Sequence, residues 1–146
     1  MVLKRNDSDQ TVIENKNNPS PTITNKSSYV FQKRTSTLLK TLEVVNSTVN
    51  VSLYDNGEID GDSVSVFYNN ELLGRNQRLS EKAISFTLHV PDDGKINELV
   101  MYAENLGKYP PNTALMVVTD GTNRYEVRIT SDLKMSGTIR FVKKKN

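Results

Sequence analysis

The stretch YDNGEIDGDSVSVFYNNELL, Tyr54 to Leu73, decides the fold class of this 146-residue chain. Asn56-Gly57 and Asp60-Gly61 are turn signals, and Val64, Val66 and Tyr68 then alternate with Ser63, Ser65 and Phe67. A period of two places alternate side chains on opposite faces of a strand. Asn69-Asn70 follows as a two-residue turn, because asparagine tolerates positive φ better than most residues. Leu72 and Leu73 begin the return strand. This is the pattern of an antiparallel β-protein.

Working outward, the same grammar repeats. Leu38, Leu42 and Val44 share one parity, with Lys40 the exception. Val49, Val51 and Leu53 form one apolar face, and Ile84, Phe86, Leu88 and Val90 form another. Pro91 to Gly94 ends that strand. Leu99, Met101 and Ala103 are expected to face the core. Ala114 to Thr119 is an apolar run that suits a central strand covered on both sides. Asp120-Gly121 turns the chain into Tyr125, Val127 and Ile129, and Ile139 and Phe141 close the domain. Eight or nine short strands with regular turn signals predict an all-β, Greek-key (Ig-like) antiparallel β-sandwich over residues 37–146. Residues 1–36, rich in Asn, Ser and Thr and interrupted by Asn18-Pro19-Ser20-Pro21, read as a disordered or loosely docked tail.

If every strand reverses the chain, alternate connections emerge at the same end. Short ones at Asn46-Ser47, Asn69-Asn70, Pro91 to Gly94 and Asp120 to Asn123 then share one end. Asp55 to Gly61, Arg75 to Lys82, Asn105 to Thr113 and Ser131 to Gly137 share the other. Long loops on a rigid sandwich are where ligands usually bind, which nominates Arg75, Arg78, Tyr109 and Asp132 as ligand-binding loop residues. Tyr109, beside Pro110-Pro111, is the candidate platform for a glycan.

Composition narrows the chemistry. Nineteen basic and seventeen acidic residues leave a formal charge of +2, without the strongly basic face that nucleic acid requires. Lys143 to Lys145 read as a solvated end. There is no cysteine, hence no disulfide and no thiolate chemistry. No apolar run approaches the ~20 residues of a membrane-spanning helix. The N-terminus, MVLKRNDSDQ, has no apolar stretch behind its basic residues, so no secretory signal is expected on this chain. His89, the only histidine, shares parity with Ser85 and Thr87 and is expected on the solvent face. No nucleophile–base pair can be assembled, so the chain is not expected to be an enzyme. The alternative is a small carboxylate-dependent hydrolase drawing on Glu58, Glu81, Glu104 and Asp132 at the long-loop end.

Asp55, Glu58, Asp60 and Asp62 crowd four carboxylates into eight residues. Calcium takes six to eight oxygens, and these four could supply part of its shell. The EF-hand spacing does not fit: counted from Asp55, the third and fifth positions fall on Gly57 and Ile59. The simpler account is that Asp, Asn and Gly are here because turns need them, with Arg75 or Arg78 neutralising the charge and no cofactor required.

LYDNGEIDGDSVSVFYNNELL, QRLSEKAISFTL, ELVMYAENLGKYPPNTALMVV and RYEVRITSDLKMSGTIRF together resemble an uncharacterised β-sandwich module of bacterial secreted and cell-envelope proteins. The resemblance covers residues 34 to 142. It implies an all-β fold, an extracytoplasmic setting and the role of a binding or structural accessory module with a protein or glycan partner. It carries no functional residues.

Overall fold

In the computed structural model, which describes residues 31–56, 61–107 and 110–145, each alternating stretch forms a strand. In chain order they are β1 (Thr35–Val44), β2 (Thr48–Asp55), β3 (Ser63–Tyr68), β4 (Glu71–Arg78), β5 (Ile84–His89), β6 (Asn97–Asn105), β7 (Asn112–Asp120), β8 (Asn123–Ser131) and β9 (Met135–Lys143). The described residues contain no helix. One sheet has the order β1-β9-β6-β3-β4, and the other β5-β2-β7-β8. The expected tail, residues 1–36, lies outside the described residues as far as residue 30. β1 begins at Thr35.

Two inward faces meet to make the core. Val49, Val51 and Leu53 of β2, Val64 and Val66 of β3, and Leu99, Met101 and Ala103 of β6 are buried, as the alternation requires. Ala114, Met116 and Val118 of β7 and Ile139 and Phe141 of β9 complete it. β7 is central, between β2 and β8. Its outward side is covered at Val117 but only half-buried at Leu115. On β5, Ile84 and Phe86 are half-buried and pack against the core, while Ser85, Thr87 and His89 are exposed. Asn69 and Asn70 adopt φ of 51° and 68°, both positive as a two-residue primed turn demands.

The structure corrects several expectations. The assembly is not wholly antiparallel, because β1 pairs parallel with β9. The reason is parity. Each connection reverses the chain, so odd-numbered strands run one way and even-numbered strands the other. Every other neighbouring pair couples an odd with an even strand, whereas β1 and β9 are both odd. Leu38 is exposed rather than shared with the Leu42 and Val44 face. A bulge between Leu38 and Lys40 inserts Leu39 into the ladder, so the faces exchange there. Arg75 to Lys82 is not a long loop, since β4 continues through Arg78 by backbone pairing with β3. Ser131 to Gly137 is likewise mostly strand, and residues 132–134 alone connect β8 to β9.

The two-ended arrangement survives these corrections. Connections 45–47, 69–70, 90–96 and 121–122 share one end, where both oxygens of Asp120 accept from Val45 N and Asn46 N. At the opposite end are the described residues 56, 61–62, 79–83, 106–107, 110–111 and 132–134.

Candidate functional site

The acidic loop leaves the core at the end of β2. Asp55 N donates to Ser80 O at 2.8 Å, and Leu79 N donates to Asp62 O at 2.9 Å. Both aspartates are thus tied to neighbouring residues of the β4–β5 connection. Asp62 is 2% exposed and Asp55 is half-buried. Glu58 and Asp60 lie outside the described residues. Gly61 has φ of +91°, and a Cβ built there would lie 3.4 Å from Arg78 Nη2, so this guanidinium borders the loop. Arg75, like Arg78, belongs to β4 rather than to a binding loop.

At the same end of the sandwich stands a residue expected in a loop. Asn112 opens β7 and is fully buried. Its Nδ2 donates to Asn105 O at 2.5 Å and to Ser63 O at 3.2 Å. Ser63 N in turn donates to Asn105 Oδ1 at 3.0 Å. Asn112 Oδ1 is buried without a hydrogen-bond partner. The adjacent Thr113 O accepts from Asn56 N at 3.4 Å. The starts of β3 and β7 and the ends of β2 and β6 therefore converge on one polar plug. In sequence only its position just after Pro110-Pro111 and before an apolar run marks Asn112.

The other candidates at this end do not converge with it. Tyr109 lies outside the described residues. Asp132 Oδ1 accepts from Lys134 N and Met135 N, each at 2.8 Å, and these bonds hold its carboxyl below the usual range. Glu104 accepts from the buried hydroxyl of Ser65, and Glu81 is exposed. Among the described residues no three His, Cys, Asp or Glu side chains are placed to hold a metal.

A concave site lies at the opposite end, where no binding loop was expected. A cleft of about 540 Å³ opens between β4 and β5, the edge strands of the two sheets. Leu73, Leu88 and Ile96 contribute its apolar lining, with Glu71, His89 and Lys95 among its polar groups. Tyr68 closes the floor by donating its hydroxyl to His89 O at 2.6 Å, and burial pushes that phenol up to about 12. His89 faces solvent as its parity requires. The cleft was not readable from the sequence because it joins edges of different sheets, and their adjacency depends on strand order. No protein-family model, no curated protein and no solved structure matches this chain.

Proposed function

We propose that the protein is a non-catalytic binding or structural accessory module that works outside the cytoplasm. The observation that carries the binding role is the cleft between β4 and β5. Its volume falls within the ~300–1,000 Å³ of small-ligand sites, and it combines apolar lining with a few convergent polar groups. Ile96, 59% exposed, offers an apolar contact beside the exposed polar side chains of Glu71, His89 and Lys95, a pairing that suits a sugar residue. The extracytoplasmic setting draws its support from the resemblance of residues 34 to 142 to an envelope module. The non-catalytic reading is supported by Glu104 and Asp132, whose oxygens accept structural hydrogen bonds.

The finer topology belongs to the same proposal. The chain crosses between sheets from β2 to β3 and again from β6 to β7, while β2 neighbours β7 and β3 neighbours β6. Two such interlocked crossings support the Greek-key, Ig-like class.

A glycan array tests the binding role directly. Wild-type protein is expected to give a reproducible set of hits that Ile96→Glu loses, with thermal stability unchanged. Hits that persist in Ile96→Glu would remove the cleft from the proposal. An array without hits would sink glycan recognition.

A further inference from the structure

We infer that the cleft is one half of a two-part site, and that its ligand is an uncharged oligosaccharide whose second unit lies on the Glu98–Arg140 pair. The inference rests on the glycan reading of the cleft and names the ligand class which that reading leaves open. A second hollow, of about 400 Å³, adjoins the cleft. Asn69 and Ile96 line both, and Asn70, Glu98, Val100 and Arg140 line the second alone. Each volume lies within the ~300–1,000 Å³ of small-ligand sites, so each hollow can seat its own ring. The shared wall is held firmly. Asn69 N donates to Glu98 O at 2.9 Å, and Glu98 N donates to Asn69 Oδ1 at 2.8 Å. Asn69 Nδ2 donates to Asn97 Oδ1 at 3.1 Å. A pre-formed wall spares a ligand the ordering entropy of building its site.

The second hollow selects the ligand by its chemistry. Glu98 of β6 and Arg140 of β9 are cross-strand partners on two neighbouring strands. Arg140 Nε and Nη2 both donate to Glu98 Oε2, at 3.0 and 2.7 Å. Glu98 Oε1 is left as an acceptor and Arg140 Nη1 as a donor, on side chains that are 33% and 32% exposed. A hydroxyl both donates and accepts, so neighbouring sugar hydroxyls can satisfy these two groups together. Half-buried Val100 and exposed Ile96 offer apolar contact to the C–H face of a ring. Charge argues against an acidic ligand. Across the two hollows Glu71, Asp93 and Glu98 outnumber Lys95 and Arg140, and Arg140 is already neutralised. A carboxylate or phosphate would have to compete with Glu98 for its partner.

The test titrates the full chain, followed by NMR, with one-, two- and three-unit ladders of glucose, mannose and N-acetylglucosamine. Oligogalacturonate is the charged counterpart. At least one neutral ladder is expected to bind, its two-unit member about ten- to a hundredfold tighter than its single sugar, as further hydrogen bonds to charged groups imply. The three-unit member should gain little more. Glu98→Ala and Arg140→Ala should each remove most of the two-unit advantage and leave the single-sugar affinity unchanged, a split that a general loss of folding would not produce. The double variant removes the pair without leaving a lone charge, which keeps the comparison open should a single variant fold poorly. An affinity independent of length, in a ladder whose binding Ile96→Glu abolishes, would overturn the second hollow and leave the glycan reading of the cleft intact. So would a two-unit advantage that survives all three variants. Tighter binding of oligogalacturonate than of every neutral ladder would overturn the uncharged class. No binding of any ladder at millimolar concentration would remove glycan recognition itself, and this inference with it.

Discussion

Asp120 shows how one side chain can join two turns that are far apart in sequence. It is fully buried, and its carboxylate accepts from Val45 N at 2.7 Å, Asn46 N at 2.9 Å and Asn46 Nδ2 at 2.7 Å. Burial alone would raise its pKa, but these three bonds, with the charge of Lys143, outweigh it and hold the group below its ordinary value. A depressed native pKa stabilises the fold above the unfolded-state pKa, and that contribution is lost as pH falls through the native value. Asp120→Asn is therefore expected to cost about 1–3 kcal/mol near neutrality. The difference from wild type should shrink progressively below about pH 4 in urea melts taken across pH. A gap that stays constant down to pH 2 would mean the charge is immaterial. Next to it, Gly121 has φ of +62°, and a Cβ there would lie 2.7 Å from Asn46 Nδ2, the atom that donates to Asp120. Gly121→Ala should cost at least about 1–2 kcal/mol by chemical denaturation, from the left-handed backbone before any clash is added. Asp120-Gly121 was legible in the sequence as a turn. Its carboxylate's partners were not, because they come from a turn some seventy residues earlier.

At the level of strands, alternation carried most of the information, and it failed where the backbone rather than the side chains makes the strand. β4 reads ELLGRNQR, with no apolar face beyond Leu73, yet it pairs with β3 as far as Arg78. β1 has the converse fault, since a single inserted residue at Leu39 exchanges its faces, and nothing in its side chains announces a bulge. β4 and β5 close one side of the sandwich through a specific contact. A Cβ added at Gly74 would meet the Phe86 ring and Gln77 Cγ at 3.2 Å. Phe86 is half-buried at this seam, so Phe86→Ala is expected to cost about 2–3 kcal/mol, below the range for a fully buried ring. Ser85→Ala and Thr87→Ala, on the exposed face, should stay within about 0.5 kcal/mol. Gly74→Ala should destabilise the wild type and cost much less in the Phe86→Ala background, a coupling that a double-mutant cycle measures. Additive costs would show that the seam is not packed as the structure has it.

For the whole molecule, the reversal of the chain at every connection was readable, and strand order was not. Reversal explains which loops share an end. Order decides that β1 lies parallel to β9, that Asn112 meets Ser63 of β3, and that a cleft opens between β4 and β5. None of these pairings is local, so no short window of sequence encodes them. The placement of β1 makes a final prediction about the integrity of the unit. As an edge strand with seven of its ten residues exposed, β1 is retained by the β9 ladder, by buried Leu42 and Val44, and by bonds at its two ends. At its start, the Arg34 guanidinium lies 3.7 Å from the centroid of the Tyr102 ring and donates to Ala103 O at 2.6 Å and Asp132 O at 3.3 Å. Thr35 N adds a bond to Lys134 O at 3.1 Å. At its far end, Lys144 N donates to Val44 O at 2.7 Å. Trypsin must draw an extended segment away from the sheet to cleave after Lys40, so the rate there reports local opening of β1. Arg34→Ala removes the stacked cation and both side-chain bonds, and it should speed cleavage after Lys40 about five- to tenfold, as about 1–1.4 kcal/mol of lost local stability implies. Cleavage after Lys95, in a connection that Arg34 does not touch, serves as the internal reference. If mass spectrometry shows both sites accelerating together, Arg34 stabilises the whole sandwich rather than its first strand. If neither accelerates, Arg34 does not hold the edge.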